Sequence, residues 1–253
     1  MADKMTVIVS ETPEALADRV AADFAALVKE TLSSRDRFTV ALSGGVTPKG
    51  LYTRLASEPY RSSIPWNKLW IFWGDERCVP KDHPDSNYRM TEEALLRYVP
   101  VASDHVFRMH GEDPPPQAAR EYEKILRRVF GVDEPWPAFD LILLGLGPNG
   151  HTASLFPGTP ALADGERWVV GNVVRAQQTV RITLTLPVLN HARQAWFLVT
   201  GAKKVEIFAK AQASPDPECP ASLVKPDSGE LRWYVDQAVV QSGDRGQGSV
   251  IRK

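Results

Sequence analysis

Short β-rich runs that break at glycine or charged residues and resume as capped helices recur along this chain, and few folds accommodate that grammar. Phe38 to Leu42 is one such run. It stops at Ser43-Gly44-Gly45, and Thr47-Pro48 then opens a helix carrying Leu51, Tyr52 and Leu55 at helical spacing. Upstream, Val7 to Ser10 reads as a strand, and Thr12-Pro13 caps a helix bearing Leu16, Val20, Phe24, Leu27 and Val28. Leu69 to Trp73 is a third strand. It ends at Gly74-Asp75-Glu76-Arg77, and a polar loop leads to a helix expected from near Ser86 to about Tyr98.

The second half repeats the pattern. Pro114-Pro115-Pro116 marks a loop before an amphipathic helix over Glu121 to Phe130, and Phe139 to Leu146 is the next strand. Val169 to Val174, Val180 to Leu186, Ala195 to Thr200 and Leu231 to Val235 read as further strands, with a helix over Lys203 to Ala211. Strands alternating with helices predict an α/β fold: a largely parallel, Rossmann-like sheet covered by helices on both faces, with a small additional lobe of strands. No internal repeat or long linker divides the chain, so one domain is expected over 1–253, with a frayed tail over 242–253.

Composition excludes several classes. Thirty Lys plus Arg against 31 Asp plus Glu leave a net charge of -1, with no basic patch to hold nucleic acid or an acidic membrane. No apolar run approaches the roughly 18 residues of a membrane span. Two cysteines, Cys78 and Cys219, supply neither a disulfide framework nor a metal knuckle, and the charged start Met-Ala-Asp-Lys-Met is unlike a signal peptide. The expected compartment is the cytoplasm.

Parallel sheets bind ligands where the carboxyl ends of strands meet helix N-termini, so the polar clusters at those ends locate the chemistry. In Ser43-Gly-Gly-Val-Thr47-Pro the glycines allow close approach of an anion, and the following helix directs its first amides and dipole at it. An ordinary βα turn would use the same glycines. Asp75-Glu76-Arg77 brings two carboxylates and a guanidinium to the end of a strand, where a surface ion pair is the plainer reading. Gly145-Leu-Gly147-Pro-Asn149-Gly150-His151 places an imidazole, able to carry a proton near neutral pH, at the tip of a glycine turn. Its G-x-G-x-x-G is not read as a dinucleotide fingerprint: Pro157-Gly158 would cut the required helix short after about two turns.

Taken together, Ser43-Gly-Gly-x-Thr-Pro, Asp75-Glu-Arg-x-Val-Pro80 with Ser86-Asn87, and Gly147-x-x-Gly-His-Thr-Ala-Ser-Leu-Phe-Pro-Gly158 resemble the 6-phosphogluconolactonase family. Arg181-Ile-Thr-Leu-Thr185, Thr200-Gly-x-x-Lys204 and Pro220-Ala-Ser-Leu223 extend the likeness over nearly the whole chain. The resemblance implies hydrolysis of 6-phospho-D-glucono-1,5-lactone without cofactor or metal. It implies His151 as general base, with Asp75 orienting either His151 or a sugar hydroxyl. Ser43, Gly44, Gly45 and Thr47 would hold phosphate, and Arg77 and Lys204 would supply cations, Arg77 equally at the carbonyl oxygen. Gly150 would admit the substrate, and Asn87 and Arg181 would bind it or support the site. Two positions depart from the family pattern: Val46 where a Ser or Thr is usual, and Asn149 where Asp precedes the Gly-His pair. A related sugar-phosphate deaminase or isomerase, and a non-catalytic sugar-phosphate sensor, are the alternatives. Oligomeric state is not legible.

Overall fold

The computed structural model describes residues 5–240, so the expected tail over 242–253 lies outside the described residues. In chain order the elements are β1 (Met5–Ser10), α1 (Pro13–Leu32), β2 (Phe38–Leu42), α2 (Val46–Leu55), α3 (Tyr60–Ser63), β3 (Leu69–Trp73), β4 (Asp75–Arg77), α4 (Asn87–Thr91) and α5 (Pro115–Phe130). They continue as β5 (Leu141–Gly145), β6 (Val169–Val174), β7 (Thr179–Leu184), α6 (Leu186–Asn190), β8 (Gln194–Val199), α7 (Val205–Gln212), β9 (Glu230–Asp236) and α8 (Gln237–Val240). Six strands form one parallel sheet in the order β1-β9-β8-β5-β2-β3, and β4-β7-β6 form a small antiparallel sheet. This is the α/β arrangement with an extra lobe that the strand and helix grammar predicts.

The parallel strands are apolar throughout because both faces are covered. On one face Phe38, Val40 and Leu42 of β2, with Leu141 and Leu143 of β5, pack against Leu16, Val20 and Phe24 of α1 and Leu51 and Tyr52 of α2. On the other, Ala41, Ile142, Leu144 and Phe197 meet Tyr122 and Leu126 of α5 and Phe208 of α7. Each Leu, Val or Phe buried this way contributes about 1.5–3 kcal/mol relative to exposure. Helix α1 starts where expected, since the Thr12 hydroxyl accepts a hydrogen bond from the Ala15 amide at 3.1 Å and Pro13 needs no partner for a missing N–H.

Several boundaries differ from the sequence reading. Prolines 115 and 116 belong to the first turn of α5, whose opening amides have no intrahelical acceptor, so proline costs nothing there. The helix expected from Ser86 to Tyr98 is α4 followed by a π turn over Glu92–Leu96, and α2 is capped by Gly45 rather than by Thr47. The strand expected to reach Leu186 stops at Leu184, because Leu186-Pro187 opens α6.

The strand order decides where the loops go. β5 lies between β2 and β8, and β3 flanks β2, so the segments leaving the carboxyl ends of β2, β3, β5 and β8 stand side by side. Gly74 carries the chain from one sheet to the other: its N–H donates to Leu42 O in line with β2, and its carbonyl accepts from Leu184 N beside β7, both at 2.9 Å.

Candidate active site

The loop after β5 is built around the imidazole of His151. The Gly147 amide donates to His151 O at 2.8 Å, closing the turn, and a Cβ on Gly147 would sit 2.0 Å from ring atoms of His151. Only glycine at 147 lets the ring fold back over its own loop. The ring stacks on Phe156 with centroids 4.1 Å apart. No helix follows Gly150. Ala153 adopts a positive φ of 45°, and Ser154 is drawn inward, its amide donating to the Thr183 hydroxyl at 3.1 Å.

Asn149 fixes the ring's tautomer. Its Oδ1 lies 2.6 Å from His151 Nδ1 and also accepts from the His151 amide at 3.4 Å, so the amide oxygen faces both donors and Nδ1 carries the proton. The lone pair is therefore left on Nε2. Burial, followed by the charges of Arg181, Lys204 and Arg77, pushes the His151 pKa down to about 4. At neutral pH the imidazole is uncharged and available as a base.

Asp75 makes no direct hydrogen bond to His151. Its Oδ2 accepts from Ser154 Oγ at 2.6 Å, Oδ1 lies 3.4 Å from Asn87 Nδ2, and the residue is buried. It anchors the His151 loop through Ser154, three residues on. Neighbouring Glu76 is buried as well: its carboxylate accepts from the amides of Arg77, Asn87 and Tyr88 and from Ser86 Oγ, and so caps α4. Burial raises its pKa against those hydrogen bonds.

Asn87 has a supporting part, donating to Asp75 O at 2.9 Å and standing where a Cβ on Gly44 would fall 1.8 Å from its Oδ1. Gly44 is required by this contact, and Gly45 by its φ of 108° at the cap of α2, which has no side-chain cap. Buried Ser43 is held through its backbone by Tyr52, whose hydroxyl donates to Ser43 O at 2.8 Å. The hydroxyls of Thr47 and Thr200 lie 2.7 Å apart, joining the loops after β2 and β8. Gly150, with φ of 79°, backs onto Cys219 Sγ, 2.7 Å from where a Cβ would project. Its missing side chain makes room for Cys219.

Three cations complete the rim. Arg77 of β4 and Arg181 of β7 are direct cross-strand partners, so both side chains leave the same face of the small sheet. Arg77 Nη1 donates to Asp85 O at 2.6 Å, Arg181 Nη2 lies 3.3 Å from Gln177 Oε1, and the buried Nε of each has no hydrogen-bond partner. Lys204 Nζ donates to Leu146 O at 2.7 Å, one residue before Gly147. None of the three forms a salt bridge with a carboxylate among the described residues. Desolvation and then the charge of Arg77 lower the Arg181 pKa, and desolvation lowers that of Lys204. A neutral base next to partly desolvated, unneutralised cations is suited to an anionic substrate that reacts with water.

The sequence model of the Glucosamine-6-phosphate isomerases/6-phosphogluconolactonase family matches residues 11–233. The chain belongs to this family. A 6-phosphogluconolactonase of Synechocystis sp. is 44% identical over 245 residues, covering 94% of this chain and 97% of that protein. A probable 6-phosphogluconolactonase 2 of Oryza sativa is 37% identical over 245 residues, covering 90% and 87%. Among solved structures, the 6-phosphogluconolactonase from Trypanosoma cruzi superposes with a TM-score of 0.84 at 29% identity, covering 97% of this chain and 99% of that one. Within the family's fold the residues that sequence reasoning missed are Asn149 as the partner of the imidazole, Ser154 as the partner of Asp75, and Thr200 as the partner of Thr47. Asn149 carried a readable signal, since a carboxamide two residues before a histidine can reach its Nδ1 across a tight turn.

Proposed function

We propose that this protein hydrolyses 6-phospho-D-glucono-1,5-lactone to 6-phospho-D-gluconate, as the names of its relatives indicate for those proteins. The observation that carries the reading is the neutral imidazole of His151, with Nε2 unprotonated, in a rim whose three cations lack carboxylate partners. Nε2 takes a proton from water as its oxygen bonds to the lactone carbonyl carbon. The carbonyl π pair moves onto oxygen, giving a tetrahedral oxyanion. When the carbonyl re-forms, the bond to the ring oxygen breaks, and the imidazolium returns its proton to that oxygen. A positioned base contributes roughly 10²–10⁴ to the rate.

Arg77, Arg181 and Lys204, with the leading amides of α2, hold the phosphate in this reading. Arg77 is the cation best supported for a second contact at the oxyanion, since it adjoins buried Asp75 of the His151 support. Asp75 acts as a positioning residue through Ser154. We place the enzyme in the cytoplasm; no helix among the described residues is long and apolar enough to cross a membrane, and Cys78 and Cys219 are unpaired.

The deciding experiment measures lactone hydrolysis in a weakly nucleophilic buffer, with phosphorylated and unphosphorylated gluconolactone compared against the spontaneous rates. Strong preference for the phosphorylated ring supports the reading. Ammonia release from glucosamine 6-phosphate with no lactone turnover replaces it with a deaminase, and binding without turnover replaces it with a sensor.

A further inference from the structure

The charges around His151 give the phosphate a part beyond anchoring. Besides burial, the larger cause of its lowered pKa, three cations act electrostatically on the imidazole from separate elements: Arg77 from β4, Arg181 from β7, whose strands are tied to the His151 loop through Asp75 and Thr183, and Lys204 from the turn after β8, tied to the carbonyl just before Gly147. The acidic groups nearby are engaged elsewhere. Asp75 takes hydrogen bonds from Ser154 and Asn87, Glu76 caps α4, and the exposed Asp85 carboxylate lies 3.8 Å from His83 Nδ1 while its backbone carbonyl meets Arg77; the side chains of Asp75 and Asp85 act electrostatically on Arg181. The thiol of Cys219 beneath Gly150 is kept protonated by burial. The charged groups that act on the imidazole are therefore three cations, none in a salt bridge with a carboxylate among the described residues.

Like charges cross-strand repel, and their presence disfavours a positive imidazolium nearby, in addition to the effect of burial. A dianion seated on the cluster reverses that local field. We propose that docking of the substrate's phosphate on Arg77, Arg181 and Lys204 strengthens His151 as a proton acceptor, so that the anionic tail switches on the base as well as holding the sugar. This rests on the reading above that a phosphorylated lactone occupies the rim. A base is most effective when its proton affinity approaches that set by the working pH, and the unliganded imidazole, at about 4, falls well below it. Phosphate occupancy moves it toward that range when the substrate is in place, and leaves the empty site a poor catalyst for unphosphorylated esters. Linkage makes the effect reciprocal: protonation of His151 tightens anion binding by the same factor.

The test is an NMR titration of His151 in the wild-type chain with isotope-labelled histidine. It is run in sodium chloride, in saturating sulfate at matched ionic strength, with 6-phosphogluconate, and with unphosphorylated gluconate. The His151 midpoint is expected to rise by about 1–3 pH units with sulfate or 6-phosphogluconate and to stay put with chloride or gluconate. In Arg181→Gln the unliganded midpoint should already be higher and the further rise smaller. An unchanged midpoint with 6-phosphogluconate bound, or no binding of either anion, overturns the proposal. No turnover enters this titration, so an absent lactonase activity and an absent coupling are separate results.

Discussion

The two ends of the parallel sheet handle charge in opposite ways. At the amino ends, buried Asp140 draws Arg35 Nη1 to 2.5 Å and Arg193 Nε to 3.5 Å, and its other oxygen accepts from Thr39 N and Thr39 Oγ1. At the carboxyl ends, Arg77, Arg181 and Lys204 have carbonyl or carboxamide oxygens as their acceptors. A cavity of about 830 Å³ opens at the amino end, lined in part by Arg35, Arg193 and Trp136, whereas the proposed chemistry lies at the other end. Charges that satisfy one another tie strands together; charges left without a counterion await a ligand. Volume alone does not separate the two cases.

The sharpest way to break this contrast is at the base. His151→Ala should lower kcat by about 10²–10⁴ while leaving 6-phosphogluconate affinity largely intact, read from steady-state kinetics and calorimetry. Turnover close to wild type would remove the imidazole from the mechanism. Next in size, Arg181→Gln should reduce kcat/KM about 10- to 100-fold through loss of a charge-assisted contact to the anion, with the secondary structure seen by circular dichroism unchanged.

The pH profile probes the same end without mutation. The base must be neutral in the free enzyme, and burial, with the surrounding cations, holds it neutral to about pH 4. kcat/KM should therefore stay level from neutrality to about pH 5 and fall about tenfold per unit below pH 4. A limb near pH 6.5 would mean that neither burial nor the cations shift the ring.

At the amino end the expectation inverts. Asp140→Ala should lower unfolding free energy by about 1–3 kcal/mol, since Thr39 loses its acceptor, with solvent screening of the half-exposed arginines limiting the loss. kcat should hold. The smallest effect is expected from Asn149→Ala, about 2- to 10-fold in kcat, because one hydrogen bond setting the tautomer contributes about 0.5–1.5 kcal/mol. Wild-type kcat there would show that the ring is held by Phe156 and Gly147 alone.

The strands and major helices were legible because the apolar periodicity that marks them is the same periodicity that buries them: Val40 and Leu42 face one layer and Ala41 the other. The motif positions were legible as loops for the same reason. Their partnerships were not. Asp75 was expected either beside His151 or at a sugar hydroxyl, yet Ser154 and Asn87, distant in sequence, claim its oxygens. Gly150 was expected to face substrate and faces Cys219, while Gly147, given no role beforehand, makes room for the ring. A turn's composition signals that glycine is needed without showing which side of the backbone is crowded.

Gly74 merits a last step. This one residue gives its amide to the large sheet and its carbonyl to the small one, and the Asp75–Ser154 and Ser154–Thr183 hydrogen bonds add two further ties between that small sheet and the loop after β5. The strands that carry Arg77 and Arg181 and the loop that carries His151 are therefore fastened to one another, and the guanidiniums and the imidazole hold a common frame. In the proposed reaction that shared frame would keep the spacing between the cations and the base constant, so a residue inserted at Gly74 should cost lactone turnover even where the chain still folds.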